Sequence, residues 1–504
     1  MKMDHPQDDH KYLWTKNSLA ELVKRRIGDR DFYVVFQDEP YRHTKTSRGI
    51  VSNRSVGGVI AALEPIIRTT NGLWIAWGRG DADRLVVDAN DRIKLPPDNP
   101  QYNLWRIWLS KKEVDEWYYG FANSALWPLA HIAHVRPEFK KTEWETFKKV
   151  NLSFARIAAE AATGKDPLFW VHDYQLALVP QYLRERRPDV TIGFFWHIPW
   201  PVREIFRICP WRKEILEGLL GADLLGFHIG SYVRAFLASV AHELEAKVDF
   251  DANTVEYRGR TTRVGAFPIS VDYGGIEDQA ISGQDRGRDL IRELVPSPHR
   301  VLAFSADRLD YTKGILERLR ATDRFLEKYP EYKGQFVFLM VVSPSRTLVP
   351  AYQNLRRDVL ELAEKINFKY TVDVWWPIHL IERSFSPSDI YSLYRNADLA
   401  VVSSLHDGMN LVAKEYVAAA HPKRGRLILS EFAGAAKELT DAFLVNPYDT
   451  EQFADTIKTA LEIPLKEREA RMQSLKTQVR DKNVYRWAGK FLTELTDVKS
   501  TPGK

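Results

Sequence analysis

Short apolar strands alternate with amphipathic helices along most of this chain, and the alternation limits the folds open to it. In the first half, strands predicted over 167–173 and 191–197 flank a helix over 176–186. In the second half, strands over 301–305 and 335–342 are again separated by a helical pattern, and a further strand is predicted over 371–376. Strands joined through helices pair in parallel, because a crossover returns the chain to the same edge of the sheet. The sequence therefore predicts an α/β fold with parallel sheets.

The alternation stops between residues 266 and 284, where Gly, Ser and Asp accumulate. This break is the predicted domain boundary, since 504 residues suffice for more than one domain. We expect a polar N-terminal extension over 1–30, a Rossmann-like domain over 31–272, a second Rossmann-like domain over 273–480, and a C-terminal helix over 481–504 that packs back on the first domain. Two such domains enclose a cleft, and ligands bind where the carboxyl ends of the strands open into it.

The charge balance and the single cysteine exclude several classes of protein. Lys and Arg total 72 against 67 Asp and Glu, and they are spread along the chain, so no nucleic-acid footprint is present. Cys209 alone cannot form an intrachain disulfide or a Cys-based metal cluster. No apolar run approaches the roughly 18 residues of a membrane span, and residues 1–12 lack the apolar core of a signal peptide. We expect a cytoplasmic protein without nucleic-acid or membrane partners.

A polar loop over 406–410 joins a predicted buried strand over 397–404 to an apolar helix. The first turn of a helix has unpaired backbone N–H groups and the positive end of the helix dipole, so it suits a phosphate. Asp407 and Glu415 could accept hydroxyls of a sugar nucleotide whose diphosphate meets that helix. A capped connection with two solvated carboxylates is the alternative that the sequence leaves open.

Other polar residues also fall where predicted strands end. Asp173 and His197 close two strands of the first half, and Arg308 and Lys313 follow the strand over 301–305. The two cations could neutralise a departing diphosphate without a metal; solvated cations are the alternative. No metal-ligand spacing is present, so we expect no cofactor.

Two further features have both a functional and a structural interpretation. Gly57 and Gly58 precede a helix, where they let the backbone approach a ligand closely or simply form a tight turn. Tyr118 and Trp127 lie in an aromatic-rich segment over 117–133 and could stack on the C–H faces of a sugar. Most aromatic residues at this density belong to the core.

Six blocks resemble the trehalose-6-phosphate synthase family, glycosyltransferase family 20, which includes the glucosylglycerol-phosphate synthases. They are His172-Asp173-Tyr174-Gln175, Gly193-Phe194-Phe195-Trp196-His197-Ile198-Pro199-Trp200-Pro201, Asp307-Arg308-Leu309-Asp310-Tyr311-Thr312-Lys313-Gly314, Ser343-Pro344-Ser345-Arg346, Asp407-Gly408-Met409-Asn410-Leu411-Val412-Ala413-Lys414-Glu415-Tyr416 and Leu429-Ser430-Glu431-Phe432-Ala433-Gly434-Ala435-Ala436. The resemblance runs from about residue 74 to 487. It implies a GT-B glycosyltransferase, with two Rossmann-like domains facing each other across a cleft, that transfers glucose with retention and needs no metal.

The resemblance also implies roles for individual residues. The donor, a nucleotide-glucose, would be bound by Gly57, Gly58, Arg308, Lys313, Asp407, Gly408, Met409, Asn410, Leu411, Val412 and Glu415. The phosphorylated acceptor would be bound by Tyr118, Trp127, Asp173 and Arg346, with Arg346 meeting the phosphate. The catalytic set would be Asp173, His197, Arg308, Lys313 and Asp407. Both substrates are small molecules, and a homo-oligomer stays open.

The N-terminal segment departs from the family pattern. In trehalose-6-phosphate synthases the first strand ends in Ser-Asn-Arg, whose arginine helps bind the acceptor phosphate. Here Ser52-Asn53-Arg54 has those letters, but the better first strand covers 32–36 and leads into a polar loop predicted over 37–55. That loop contains Glu39-Pro40-Tyr41, an arrangement similar to glucosylglycerol-phosphate synthases. Arg346 after Pro-Ser favours glucose 6-phosphate as acceptor, with glycerol 3-phosphate as the alternative. A non-catalytic sugar-phosphate-binding regulator is the remaining hypothesis.

Overall fold

The structure is a computed structural model that describes residues 13–55, 58–164 and 166–498. Its strands are β1 (Phe32–Val35), β2 (Tyr41–Thr46), β3 (Gly49–Arg54), β4 (Leu73–Trp77), β5 (Arg92–Leu95), β6 (Tyr102–Ile107), β7 (Leu168–His172), β8 (Thr191–Phe195), β9 (Leu224–Phe227), β10 (Lys247–Asp249), β11 (Thr254–Tyr257), β12 (Arg260–Ala266), β13 (Val301–Arg308), β14 (Phe336–Ser343), β15 (Ile378–Glu382), β16 (Leu399–Val402), β17 (Leu427–Ser430) and β18 (Phe443–Val445).

The helices alternate with these strands. They are α1 (Lys16–Arg26), α2 (Gly58–Thr70), α3 (Lys111–Val114), α4 (Trp127–His131), α5 (Lys141–Ala161), α6 (Val179–Arg186), α7 (Arg203–Phe206), α8 (Arg212–Leu219), α9 (Gly230–Glu243), α10 (Tyr273–Ser282), α11 (Gln284–Leu294), α12 (Ile315–Lys328), α13 (Pro350–Tyr370), α14 (Pro387–Asn396), α15 (Leu411–Ala419), α16 (Thr450–Glu462), α17 (Leu465–Asp481) and α18 (Val484–Val498), with a π-helical segment at Asp115–Leu126 between α3 and α4. Over the described ranges, no helix combines the length and apolar character needed to cross a bilayer.

Two sheets divide the molecule into lobes. Among the described residues the N-lobe sheet has the order β10-β11-β12-β9-β8-β7-β1-β4-β6-β5, and the C-lobe sheet has the order β15-β14-β13-β16-β17-β18. The C-lobe sheet is parallel throughout, and the N-lobe sheet is parallel from β12 to β6. The predicted α/β architecture with parallel sheets is confirmed.

The strand order sets where a ligand can bind. In each lobe, the chain first builds the sheet outward on one side and then returns to build it on the other. The reversal lies between β1 and β7 in the N-lobe and between β13 and β16 in the C-lobe. Crossovers leave these neighbouring strands in opposite directions, which opens a crevice at their carboxyl ends.

Two local predictions were wrong. The segment over 37–55, predicted as a polar loop, contains the antiparallel hairpin β2–β3, with Tyr41 opposite Arg54. Every residue of β3 is exposed, so the hairpin lacks the alternating apolar pattern by which strands are recognised. The strand predicted over 371–376 is instead a turn with a single bridge between Val372 and Trp375, and β15 begins only after Pro377.

The C-terminal helix α18 lies against the N-lobe, although it follows the C-lobe in sequence. The Phe491 ring stacks on Trp170 of β7 at 4.5 Å between centroids and is fully buried. A Cβ at Gly193 or Gly226 would come within 2.8 Å of that ring, so both strands need a residue without a side chain there. The helix therefore packs directly on the backbone of β8 and β9.

We expect Phe491→Ala to destabilise the protein by about 3–5 kcal/mol, because it removes a buried aromatic ring and leaves a cavity. The glycines of β8 and β9 under the ring have no side chains that could fill this cavity. In a domain of this size such a loss lowers the Tm by on the order of 10 °C, which differential scanning fluorimetry measures. Lys490→Ala, an exposed position on the same helix, is the matched control. Equal Tm values for the two variants would contradict the packing described.

Candidate active site

The reversal point of the C-lobe sheet brings two predicted residues to one edge. Arg308 is the last residue of β13, and Asp407 follows β16, the strand beside it. The Asp407 loop is fixed from below by Gly434, whose N–H donates to the Asp407 carbonyl oxygen at 3.0 Å. A Cβ on Gly434 would lie 2.2 Å from the Gly408 oxygen, so this position has no room for a side chain. The loop is thus held rigidly at the mouth of the cleft.

The Asp407 carboxylate is the centre of a polar cluster. The Lys313 ammonium lies 2.5 Å from Asp407 Oδ2, and Asn410 Nδ2 and Ser404 Oγ donate to the same oxygen at 3.1 and 3.3 Å. Burial alone would raise the pKa of Asp407, but the Lys313 charge and the hydrogen bonds outweigh it and hold the pKa well below its usual range. Asp407 is therefore ionised, and Lys313 stands charged at the cleft.

Asn410 caps helix α15 in the left-handed region, with φ of 74°. Its side chain accepts the N–H of Ala413 at 3.0 Å, which leaves the N–H groups of Leu411 and Val412 without partners inside the helix. Met409, by contrast, is buried beneath the loop, and its carbonyl oxygen accepts the N–H of Ala435 at 2.7 Å. The helix start can therefore receive an anion next to Lys313.

Glu415 extends from the same helix one turn further on. Within the described part of the chain its carboxylate has no hydrogen bond or ion pair, and burial raises its pKa to about 7. A buried carboxylate without hydrogen-bond donors gains free energy when a ligand supplies them. The ribose hydroxyls of a nucleotide whose diphosphate meets α15 are donors of the right kind.

Asp173 stands at the reversal point of the N-lobe sheet in a strained conformation. Its φ of 73° and ψ of 161° lie in a region that is almost reserved for glycine. The N–H groups of Tyr174 and His197 donate to Asp173 Oδ1 at 2.9 and 3.2 Å. Burial nevertheless raises its pKa to about 7, and Arg346 and Arg308 of the C-lobe oppose that rise. The Asp173 carboxyl thus faces the other lobe.

Three histidines lie side by side behind the cleft. His172 Nδ1 is 3.0 Å from His197 Nε2, and His228 Nε2 donates to the His197 carbonyl oxygen at 3.0 Å. Burial lowers the pKa of His172 and His197 far below the usual value, so both imidazoles are neutral. His197 Nδ1 is buried without a partner among the described residues. That nitrogen is free to exchange a hydrogen bond with a sugar hydroxyl.

The two lobes touch around these residues. A Cβ at Gly408 would lie 2.6 Å from the carbonyl oxygen of His197, so the Asp407 loop and the segment after β8 meet backbone to backbone. The Tyr232 hydroxyl donates to the Asp407 carbonyl oxygen at 3.4 Å, and His406 Nδ1 donates to the His131 oxygen at 3.0 Å. Asp407 and His197 are therefore neighbours across one cleft.

Arg346 contacts residues of both lobes. Its guanidinium stacks over the Trp127 ring at 4.0 Å and donates to Asp310 Oδ2 at 3.2 Å and to Tyr174 at 3.4 Å, with Tyr352 as a further partner. Only its Nε is buried without a partner within the described ranges. Arg346 is thus largely saturated by protein groups in this structure.

The cleft brings together most residues that the sequence singled out. These are Trp127, Asp173, His197, Arg308, Lys313, Arg346, Asp407, Gly408, Asn410, Leu411, Val412 and Glu415. Tyr118 lies beside them, half-buried, with its ring 5.9 Å from Trp77. Gly58 begins α2, and Gly57 lies outside the described residues. Their proposed roles stay predictions.

Sequence reasoning missed several residues at the same edge. Tyr232, His172 and His228 carry no signal, because their partners are distant in the chain. Arg79 does carry one, since it follows β4 as Asp173 follows β7. Across the described residues no group of three His, Cys, Asp or Glu could hold a metal ion, and metal-free transfer stays a prediction.

Comparisons with known proteins identify the family. The model of glycosyltransferase family 20 matches residues 30–497. A trehalose-6-phosphate synthase of Mycobacterium avium is 41% identical over 483 residues, covering 93% of this chain and 96% of that protein. The synthase of Mycobacterium leprae is 40% identical over 485 residues, covering 94% and 96%.

Solved structures agree. An α,α-trehalose-phosphate synthase (UDP-forming) from Burkholderia xenovorans in complex with glucose-6-phosphate has a TM-score of 0.82 and 32% identity, covering 92% of this chain and 99% of that one. An E. coli structure bound with UDP-2-fluoro glucose has a TM-score of 0.81 and 31% identity, with the same coverage. The chain has the GT-B fold, and it belongs to glycosyltransferase family 20 as a nucleotide-sugar-dependent enzyme.

Proposed function

We propose that the protein is a retaining glucosyltransferase that moves glucose from UDP-glucose to glucose 6-phosphate and forms trehalose 6-phosphate. The observation that carries the proposal is the charged Lys313 beside ionised Asp407 at the start of α15, opposite Asp173 and His197. Cations and free N–H groups suit a diphosphate, and the opposing polar groups suit sugar hydroxyls. The named relatives and the two ligand complexes above support the same pair of substrates.

The donor would lie along the C-lobe edge. Its diphosphate would meet Lys313, Arg308 and the N–H groups of Leu411 and Val412, while Glu415 would accept the ribose hydroxyls. The glucose ring would then extend toward Asp407 and His197 Nδ1, which is buried without a partner among the described residues. This orientation places the anomeric carbon at the junction of the lobes.

The reaction would proceed on one face of the sugar. The bond from the anomeric carbon to the diphosphate oxygen breaks, and the acceptor hydroxyl oxygen bonds to that carbon from the same side, with its proton passing to the departing diphosphate. Retention follows from attack on the leaving-group face. The protein contributes placement of the acceptor and stabilisation of the diphosphate charge by Arg308 and Lys313.

The alternative acceptor is glycerol 3-phosphate, as in glucosylglycerol-phosphate synthases, with ADP-glucose as a further donor candidate. The N-terminal loop that favours it is the β2–β3 hairpin, where Ser52-Asn53-Arg54 ends β3 rather than the first strand of the sheet. A non-catalytic regulator would not need Arg308, Lys313 and Glu415 together at one edge. We therefore place the enzyme hypothesis first.

The deciding experiment incubates the purified protein with UDP-, ADP- and GDP-glucose against glucose 6-phosphate and glycerol 3-phosphate. We expect turnover with UDP-glucose and glucose 6-phosphate, and mass spectrometry should detect a disaccharide phosphate whose new linkage is α by NMR. Product only from glycerol 3-phosphate would select the alternative. Nucleotide binding without turnover of any pair would select the regulator.

Arg308→Ala should lower kcat by about 100- to 1000-fold, because the guanidinium would stabilise charge that develops on the departing diphosphate. Release of nucleoside diphosphate measures the rate, and an unchanged Tm shows that the fold is intact. Arg320→Ala, an exposed arginine on α12 paired with Glu317, is the matched control. A kcat near that of the wild type would remove Arg308 from the mechanism.

Glu415→Gln should separate stability from function. In the folded protein the Glu415 carboxyl has a pKa of about 7, above its value in the unfolded chain. The free energy of unfolding therefore decreases as the pH rises from the unfolded pKa to about 7, because the folded protein must then bury the charged form. The variant should therefore have a higher Tm than the wild type at pH 8 and a similar Tm at pH 5. Its donor KM should rise about tenfold through loss of a charged hydrogen bond.

Glu361→Gln, at an exposed position of α13, should leave Tm and donor KM unchanged at either pH. A Tm gain for Glu415→Gln that is equally large at pH 5 would contradict burial of an ionised carboxylate. An unchanged donor KM would exclude the contact with the ribose.

A further inference from the structure

Four adjacent strands of the N-lobe sheet end in polar residues at the cleft. In the order β8, β7, β1 and β4, the residues that follow them are His197, Asp173, Asp38 and Arg79. Only the first two were assigned a role above. The other two lie on the same edge, one and two strand spacings beyond Asp173, or about 5 and 10 Å.

Arg79 is fixed by the backbone around it. A Cβ at Gly78 would lie 2.5 Å from the Trp108 ring, and a Cβ at Gly80 would lie 2.3 Å from the His43 carbonyl oxygen. The N–H of Arg79 itself donates to Glu39 Oε1 at 2.9 Å. These contacts fix the backbone of the turn on both sides of Arg79 and thereby the direction of its side chain.

The Glu39 carboxylate that holds this turn is itself anchored. Its Oε2 accepts from Arg106 Nε at 2.8 Å, and neither side chain is exposed to solvent. Arg106 also lies 2.9 Å from Asp83 Oδ1, which accepts the N–H of His43 at 2.8 Å. This buried charged cluster supports the Arg79 turn from below, in the way that precise ligand sites are supported.

The Arg79 guanidinium points along the aromatic wall of the acceptor side. It lies over the Trp77 ring at 4.9 Å and over the Tyr118 ring at 5.5 Å. Tyr118 belongs to the same aromatic segment as Trp127, the ring over which Arg346 lies at 4.0 Å. Arg79 therefore faces the same space as the residues predicted to bind the acceptor.

Two arginines at this edge approach the same carboxylate. Arg79 Nη1 and Arg42 Nη2 approach the same oxygen, Asp38 Oδ1, at 3.2 and 2.8 Å. Two guanidinium groups thus share one carboxylate. The side chain of Arg79 is 21% exposed, and over the described residues Asp38 is the one carboxylate that pairs with its guanidinium. A bound anion would complete its coordination.

The two alternative arginines already have partners in the protein. Arg54, which carries the family letters, lies on the exposed strand β3 and pairs with Glu64 at 2.6 Å. Arg346 is already bound by Asp310, Tyr352 and Tyr174.

We propose that Arg79, with Arg42 beside it, binds the phosphate of the acceptor, and that the distance from Asp173 selects a hexose phosphate. This inference rests on the proposed function and adds the residues that recognise the acceptor. In glucose 6-phosphate the anomeric hydroxyl and the phosphate project from opposite ends of a ring, which spans the two strand spacings between Asp173 and Arg79. Glycerol 3-phosphate is too short to bridge them while its hydroxyl stays at the reacting carbon.

The test compares a phosphorylated acceptor with its unphosphorylated counterpart. Arg79→Gln should raise the KM for glucose 6-phosphate about 10- to 100-fold, the loss expected for a charged hydrogen bond, and leave the donor KM and the slow transfer to glucose unchanged. Arg79→Lys keeps the charge but not the fork of donors, so its KM should lie between those of the wild type and Arg79→Gln. Arg84→Gln, an exposed arginine stacked on Trp108, is the matched control.

Calorimetric binding of glucose 6-phosphate in the presence of UDP separates this inference from the proposed function. A wild type that binds glucose 6-phosphate but forms no product would reject the function, while weaker binding by Arg79→Gln would still support the phosphate site. Equal losses with glucose and glucose 6-phosphate, or no loss with either, would overturn the assignment of Arg79. If Arg79→Gln lowers the Tm, the Arg79→Lys variant, with a wild-type Tm, is used instead. Its losses with glucose 6-phosphate and with glucose are compared in the same way.

Discussion

The ion pair between Lys313 and Asp407 is the contact on which the cleft depends. Each side chain is only 14% exposed, so the pair has given up most of its hydration. Such pairs contribute little net stability, because desolvation offsets much of the attraction. The ion pair matters for the position of the groups around it. It joins the loop after β13 to the loop after β16 across the reversal point of the sheet, and it keeps the Lys313 ammonium beside the start of α15.

Several departures from ordinary local rules lie at the cleft. Asp173, Arg346 and Asn410 have left-handed φ values of 73°, 45° and 74°, and Asp173 and Glu415 carry raised pKa values. Each of these features costs free energy in the folded protein without a ligand. The surrounding structure holds them in place, through the buried histidines in one lobe and the tight Gly408–Gly434 contact in the other. Contacts with a substrate could offset these costs, because the polar groups already lie where a ligand would meet them.

The sequence predicted the architecture and the edge of each sheet where polar residues meet. The strands before Asp173, His197 and Arg308 could be recognised because each is an apolar run followed by a polar residue. The same rule applied to β4 would have found Arg79. The β2–β3 hairpin was not predicted because its strands have no apolar face and β3 is exposed throughout. Val372 and Val374 have high strand propensity, but both are exposed in a turn. Propensity alone does not decide such segments.

Contacts between lobes were beyond local reasoning for a different reason. Arg346 and Trp127 are more than two hundred residues apart, and nothing in either neighbourhood specifies the other. Their stacking nevertheless shapes this part of the cleft, because it places a C-lobe cation on an N-lobe ring beside Tyr174. The same groups would have to rearrange if a phosphate displaced Asp310 or Tyr352 from Arg346. If the phosphate met Arg79 in the N-lobe instead, that cost would be avoided, and Arg346 would keep its contacts with both lobes.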